Sequence, residues 1–436
     1  MQYSTEQILQ MAPDTPAAKA GQQLASNAKW LLKAVNEKAL WGDCQGSGKT
    51  PYRTMVDLDN IAFKCSCPSR KFPCKHGLGL MLLYVQQPDV FTVEASLPDT
   101  VAEWLSRRGA REAAKDEKVQ KPVDEAAQEK RIQAREKKVL AGIEELRYWL
   151  KDVVRTGIMN VPQDIYGFNQ SITARMVDAQ AGGLANQLRQ INRIDFFHEG
   201  WQLALLKRLS KIYLITEAFD HKEQLPPEMV QELQTLIGWT QSKEEVLQTM
   251  PVEDTWTVLS ITLSEEEQLR TERVWLYGHN SKRYALLLQF YAGNQSPEHL
   301  WVKGMQLQAA IAYFPGAAPL RALIKSHQSL SVQPIDIEVA GEVTQIYEQV
   351  SGALSVNPFL TQFPFILNRG TLTRHEGHWW FKDAANQAIP LANTTGECWR
   401  MLAFSQGKPC SAFGIYEEER FALHTLWSDH KSCFVS

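Results

Sequence analysis

Along "TPAAKAGQQLASNAKWLLKAVNEKAL" apolar residues return every three or four positions, so an amphipathic helix is expected from about Thr15 to Leu40. The text then changes period. "YRTMVDL" alternates as a strand does, "FKCSCPSRKFPCKH" follows, and "GLGLMLLYV" places Leu78, Met81, Leu82 and Val85 on one face of a short helix. From 107 to 140 Ala, Lys, Arg and Glu dominate, with acids among the bases, as in a solvated helical linker. Between 141 and 250 the spacing stays helical: Ile143, Leu146, Leu150 and Val153 share a face, and "ARMVDAQAGGLANQLRQI" repeats the habit around Gly182-Gly183. Arg175 and Asp178, three apart, are expected to form a buried pair there.

Beyond Pro251 the period moves towards two. "TWTVLSITL", "ERVWLYGHNSKRYALLLQFYA", "GHWWFKDA" and "SAFGIYEEERFALHTLW" predict strands joined by tight turns, hence mainly antiparallel sheet. The expectation is an α+β multidomain chain. Residues 1–106 form an N-terminal ββα unit with flanking helices, 107–140 a charged helical linker, 141–250 a helical middle and 251–436 a β-rich domain.

Composition narrows the function classes. With 436 residues and 44% hydrophobic content the chain is long enough for several cores. A net charge of −3 means that any nucleic-acid contact must come from a local patch. No long uninterrupted apolar run and no basic leader before an apolar stretch are visible, so no membrane association and a cytoplasmic address are expected. "GSGKT" ends like a phosphate-binding loop, but that motif needs glycine at position 43, where Asp43 stands, and Pro51 opposes a helix after Thr50. A Gly/Ser turn entering a hairpin is the better reading. No catalytic elbow, paired-carboxylate signature or zincin motif occurs, and the chain is read as non-enzymatic. His375 and His378 read as a turn entering a strand.

Seven cysteines, an odd number without a secretion signal, argue for reduced thiols. Three lie together: Cys65-x-Cys67, six residues, then Cys74-x-His76. Three thiolates and one imidazole are a standard tetrahedral zinc set, and the absence of a fourth nearby ligand cysteine disfavours an iron–sulfur cluster. Alternation along a strand would turn Cys65 and Cys67 to one side, and the second pair arrives at a helix start, so Zn²⁺ would clasp a strand pair to a helix. Cys44 reads as a small buried residue. Lys64, Arg70, Lys71 and Lys75 surround the thiols, where they favour thiolate, and with Phe63 and Phe72 they also offer phosphate contacts and stacking rings.

The pattern Cys-x-Cys, spacer, Cys-x-His resembles the SWIM zinc finger, and "WGDCQGSGKTPY...VDL...FKCSCPSRKFPCKHGLGLMLL" is similar to large bacterial proteins that carry this finger near their N-terminus. The resemblance extends over roughly residues 10 to 90, more loosely through "REKKVLAGIEELRYWL" and "ARMVDAQAGGLANQL". It implies zinc held by Cys65, Cys67, Cys74 and His76 without catalysis at the metal, and a role in protein or DNA interaction. Related bacterial proteins are often encoded beside AAA-type ATPases and von Willebrand A-type proteins, which implies a shared assembly. Two expectations follow: a zinc-stapled adaptor for protein partners, or DNA binding through Lys64, Arg70, Lys71 and Lys75.

Overall fold

The computed structural model describes the chain except residues 1–3, 47–49, 60, 70, 118–124, 166, 240, 267–268, 293–299, 338–340, 429–430 and 436. Two short helices open the described chain, α1 (Thr5–Gln10) and α2 (Thr15–Leu24), each started by a side-chain cap, from Ser4 and Asp14. The helix expected to reach Leu40 stops at Leu24. Residues 30–44 instead form β1 (Trp30–Val35) and β2 (Ala39–Cys44), paired antiparallel. The reason is local and tertiary together. Asn36 Oδ1 accepts the amides of Lys38 and Ala39 at 2.9 and 2.8 Å, which closes a tight turn. Ala34, Ala39, Leu40 and Trp41 are fully or almost fully buried, on the two faces of a sheet, a distribution one amphipathic helix face cannot provide.

The sheet continues through β3 (Tyr52–Asp57), β4 (Ala62–Cys65) and, after α3 (Lys75–Gln86), β5 (Thr92–Val93), in the order β4-β3-β2-β1-β5. The expected hairpin with its helix is therefore present as β3, β4 and α3, within a larger sheet. Helix α3 covers one face, with Leu78, Leu80, Met81, Leu82 and Leu83 buried. Helix α2 crosses it closely at two glycines: a Cβ on Gly79 would stand 2.6 Å from Leu24 Cβ, and one on Gly21 2.9 Å from Leu78 Cβ. The other face is covered by α4 (Asp99–Glu117), whose Val101 and Trp104 pack on Ala34, Trp41, Met55 and Ala62.

A long helix, α5 (Glu125–Thr156), leads into the helical middle of α6 (Gln170–Asp178), α7 (Gly182–Ile191), α8 (Trp201–Asp220), α9 (Pro227–Ile237) and the short α10 (Lys243–Gln248). Ile143, Leu146 and Leu150 are in its core as their spacing requires, with Val153 at its margin. The Arg175–Asp178 pair is corrected: Arg175 forks onto Glu145 of α5 at 2.6 and 2.8 Å, and Asp178 is exposed. A neighbouring helix offers the carboxylate at better geometry than the same helix does.

The β-rich part contains two bodies. Strands β6 (Val252–Glu266), β7 (Leu269–Gly278), β8 (Tyr284–Ala292), β9 (Met305–Tyr313) and β10 (Arg321–Val332) close into a barrel, antiparallel except where β10 meets β8. After α11 (Val343–Val356), a six-stranded sheet comprises β11 (Phe363–His375), β12 (His378–Lys382), β13 (Ala388–Pro390), β14 (Cys410–Glu417), β15 (Arg420–Ser428) and β16 (Lys431–Phe434), with α12 (Thr395–Ser405) between β13 and β14. His375 and His378 face each other across the turn from β11 to β12, as expected. The finger's core and the barrel's interior are one apolar cluster, running from Leu40, Val56 and Leu78 to Trp256, Val274 and Leu307. Barrel and sheet meet through Leu259, Trp275, Phe413 and Trp427, with Thr425 Oγ1 donating to Leu259 O at 2.6 Å.

Candidate metal centre

The antiparallel register of β3 and β4 sets Cys65 opposite Thr54 at the end of the hairpin. The strand stops at Cys65, two residues before Cys67, so alternation does not align the pair; the chain bends at Cys67, whose Sγ nevertheless joins the other donors. The return segment ends at Cys74, the N-cap of α3, which places His76 in the first turn of that helix. The Sγ atoms of Cys65, Cys67 and Cys74 and a ring nitrogen of His76 all lie within 4.8 Å of one another. His76 Nδ1 is 3.7 Å from Cys65 Sγ and 4.0 Å from Cys74 Sγ. A zinc tetrahedron with ordinary bond lengths has S···N and S···S edges of about 3.6 and 3.8 Å. The four donors therefore already stand close to the corners that the ion requires, and among the described residues no other such group of three or more is found.

Packing holds the corners. Cys74 and His76 are buried, and the imidazole lies against Tyr52 with ring centroids 4.9 Å apart. Gly77 is obligatory in this packing, since a Cβ there would meet the Phe63 ring at 2.5 Å. Thr54 Oγ1 sits 3.3 Å from Cys65 Sγ, in the position of an outer-shell partner.

The donor chemistry fits a divalent cation. The hydrogen bond from the Cys74 thiol, aided by His76 and Thr54 against the opposing effect of burial, brings the Cys65 thiol down to about 3. The same hydrogen bond, together with burial, pushes Cys74 far up, and burial raises Cys67. A divalent ion would displace the thiol protons to gain three anionic sulfurs. The start of α3 adds its own positive end beside Cys74. Cys44 is fully buried, with its thiol raised to about 11 by burial, and stands outside the ligand set, as expected for a packing residue.

The basic residues are less uniform than their spacing implies. Lys64 and Lys75 are exposed, Lys71 is engaged with Asp14 at 2.6 Å, and Arg70 lies outside the described residues. Phe63 is corrected as a stacking ring: it is 7% exposed and packs edge-on against Phe72, because the helix start needs an apolar wall there. Sequence reasoning missed Thr54 and Tyr52, whose roles depend on the β3–β4 register and leave no trace in spacing.

Residues 52–84 match the SWIM zinc finger family, and residues 134–237 match the SWIM-associated four-helix bundle domain. The first span contains all four donors and the second runs from α5 to the end of α9. No curated protein and no solved structure matches the chain. The finger and the donor cluster together fit zinc. No helix among the described residues is long and apolar enough to cross a membrane.

Proposed function

We propose, from the premise that this chain carries a SWIM zinc finger followed by its associated helical bundle, that it is a non-catalytic adaptor whose zinc site shapes a protein-binding module. The observation behind this reading is the closed donor set: three sulfurs and one imidazole complete a tetrahedron and leave no coordination position for a substrate. Zinc would hold the β3–β4 hairpin to α3, and that pair is continuous in its packing with the barrel, so the ion's effect extends into the β-rich part. The free cysteines suit a cytoplasmic setting, where thiols stay reduced. An AAA-type ATPase or a von Willebrand A-type protein is the partner we favour, on the sequence resemblance alone.

DNA binding by the finger surface itself is the weaker reading, because Lys71 already has a carboxylate partner and Phe63 is buried. Reconstitution tests the adaptor reading. Zinc-loaded full-length protein should co-elute stoichiometrically with a purified partner of either class, and Cys74→Ser should abolish that complex. A complex that survives Cys74→Ser unchanged removes the finger from the interface, and metal-dependent turnover of any substrate removes the adaptor reading.

A further inference from the structure

Helix α8 buries Leu205, Leu209, Ile212, Ile215 and Phe219 in the bundle, yet it carries three further leucines on its outer side. Leu203, Leu206 and Leu214 are 59, 38 and 47% exposed, and with Ser210 they form a stripe about 16 Å long. Helices apolar all round are normally covered all round. We propose that this stripe and the adjoining side of α5 form a docking groove for an amphipathic helix of a partner protein, one with leucines on one face and carboxylates flanking them. The proposal rests on the adaptor reading and gives it a second contact face, on the bundle and away from the metal.

The register of the two helices sets the groove. Helices α5 and α8 lie side by side and antiparallel: Arg147 pairs with Glu217 and, at 2.8 Å, with Asp220, while Lys151, one turn later on α5, has its Nζ 5.8 Å from the centre of the Tyr213 ring. Val154 follows Arg147 by two turns, on the same side of α5, so this register brings it level with Ser210. It too is largely exposed. Leu206 precedes Tyr213 by two turns and therefore lies at the α5 edge of the stripe, across from Val154. Ser210, small and set among the leucines, leaves room for a third helix to approach closely.

Charge selects the occupant. Between Trp201 and Thr216 α8 has no carboxylate, and Lys207 stands exposed beside the stripe. Lys151 and Arg155 are exposed on the α5 side. Glu217 and Asp220 are already held by Arg147, and Asp152, five residues after Arg147, lies on another side of α5. An apolar floor with cations along both edges matches leucines and carboxylates on one helix. It disfavours a second copy of the same groove, whose own cations would meet these. In the docked state the leucines fill the floor and supply affinity, while the carboxylates meet Lys151, Arg155 and Lys207 and set the orientation.

Fluorescence anisotropy with the zinc-loaded full chain tests the proposal. The probe is a labelled synthetic helix of about 20 residues with leucine at every third or fourth position and glutamates flanking the leucines. A scrambled peptide of the same composition and a version with lysine for every glutamate serve as controls. The glutamate helix should bind, both controls should bind at least about tenfold more weakly, and affinity should fall as salt rises from about 50 to 500 mM. Leu203→Ser with Leu214→Ser should weaken binding at least about tenfold. Arg155→Glu with Lys207→Glu should reverse the preference, so that the lysine helix binds more tightly than the glutamate helix. Val177→Ser removes an exposed apolar side chain from α6, which contacts another side of α5 through Arg175 and Glu145; this variant and Cys74→Ser should each change affinity less than about twofold. Circular dichroism should stay at wild-type values in the groove variants, whose side chains are exposed.

No binding of the glutamate helix at about 1 mM, equal binding of the scrambled peptide, or an unchanged preference after charge reversal overturns the proposal. Tighter binding to vesicles of anionic phospholipid than to the glutamate helix assigns the face to a membrane surface and overturns it as well. So does a dimer, seen by sedimentation, that Leu203→Ser with Leu214→Ser abolishes. In any of these cases a partner complex that depends on Cys74 still supports the adaptor reading, so the two failures are distinguishable.

Discussion

Lowering the pH should weaken the junction between barrel and sheet through one imidazole. His424 lies on β15, shares a 2.8 Å hydrogen bond with Ser260 Oγ of β6, and is largely enclosed beside the Phe413 ring. Burial, with Lys303 adding and Glu397 opposing, depresses its pKa from 6.5 to about 4. Below pH 6.5 the unfolded chain therefore takes up a proton that the folded chain refuses until about pH 4. The stability involved is fully present above 6.5 and is lost progressively as pH falls towards 4. At about pH 4.5 the loss amounts to about 2.5 kcal/mol, of a limiting value of about 3 kcal/mol. Urea unfolding, read by tryptophan fluorescence and by hydrogen exchange across β6 and β15, measures it. His424→Gln retains a polar partner for Ser260 without a titrating ring, so its stability should fall less than that of wild type by about 2.5 kcal/mol between pH 7.5 and 4.5. Metal release at low pH affects both proteins alike and cancels in the comparison. Parallel pH dependences for the two proteins over that window would refute the reasoning.

The purified chain should contain one zinc per molecule, and Cys74→Ser should reduce its zinc affinity by at least about 100-fold, measured by elemental analysis after dialysis against a graded chelator. Chelation should also increase hydrogen exchange through β3, β4 and α3 and then in the adjoining barrel strands, since they share a core, while β11 to β14 stay protected. Gly79→Ala should destabilise the first module by about 1–3 kcal/mol despite its better helix propensity, because the new methyl meets Leu24 Cβ at 2.6 Å; a chemical denaturation midpoint equal to wild type would show that α2 can move aside. Asn36→Ala removes the acceptor for two turn amides and should cost about 1–2 kcal/mol by the same assay.

Much of the architecture was legible because local chemistry and tertiary context agreed. The apolar face of α5, the hairpins of the β-rich region and the turn between His375 and His378 follow from periodicity, and the buried surfaces lie where that periodicity puts them. Residues 30–44 fail the same test. Their apolar spacing satisfies a helix, but Asn36 and pairing with β3 select two strands, a choice made by contacts with residues far along the chain. Arg175 makes the same point with a charge: its sequence neighbour Asp178 is exposed and its partner comes from another helix.

The amino-acid order alone determined the metal chemistry, because ligand identity and a spacing short enough to close on one ion are properties of twelve consecutive residues. Everything that depends on which surfaces meet was settled by folding. Thr54 and Tyr52 reach the donors only through strand register, and Val154 and Leu206 line one groove only because α5 and α8 pack side by side. The merger of finger and barrel into one core, and the covering of β7 and β8 by the last sheet, likewise arise from burying apolar faces against partners distant in sequence, information that periodicity does not carry.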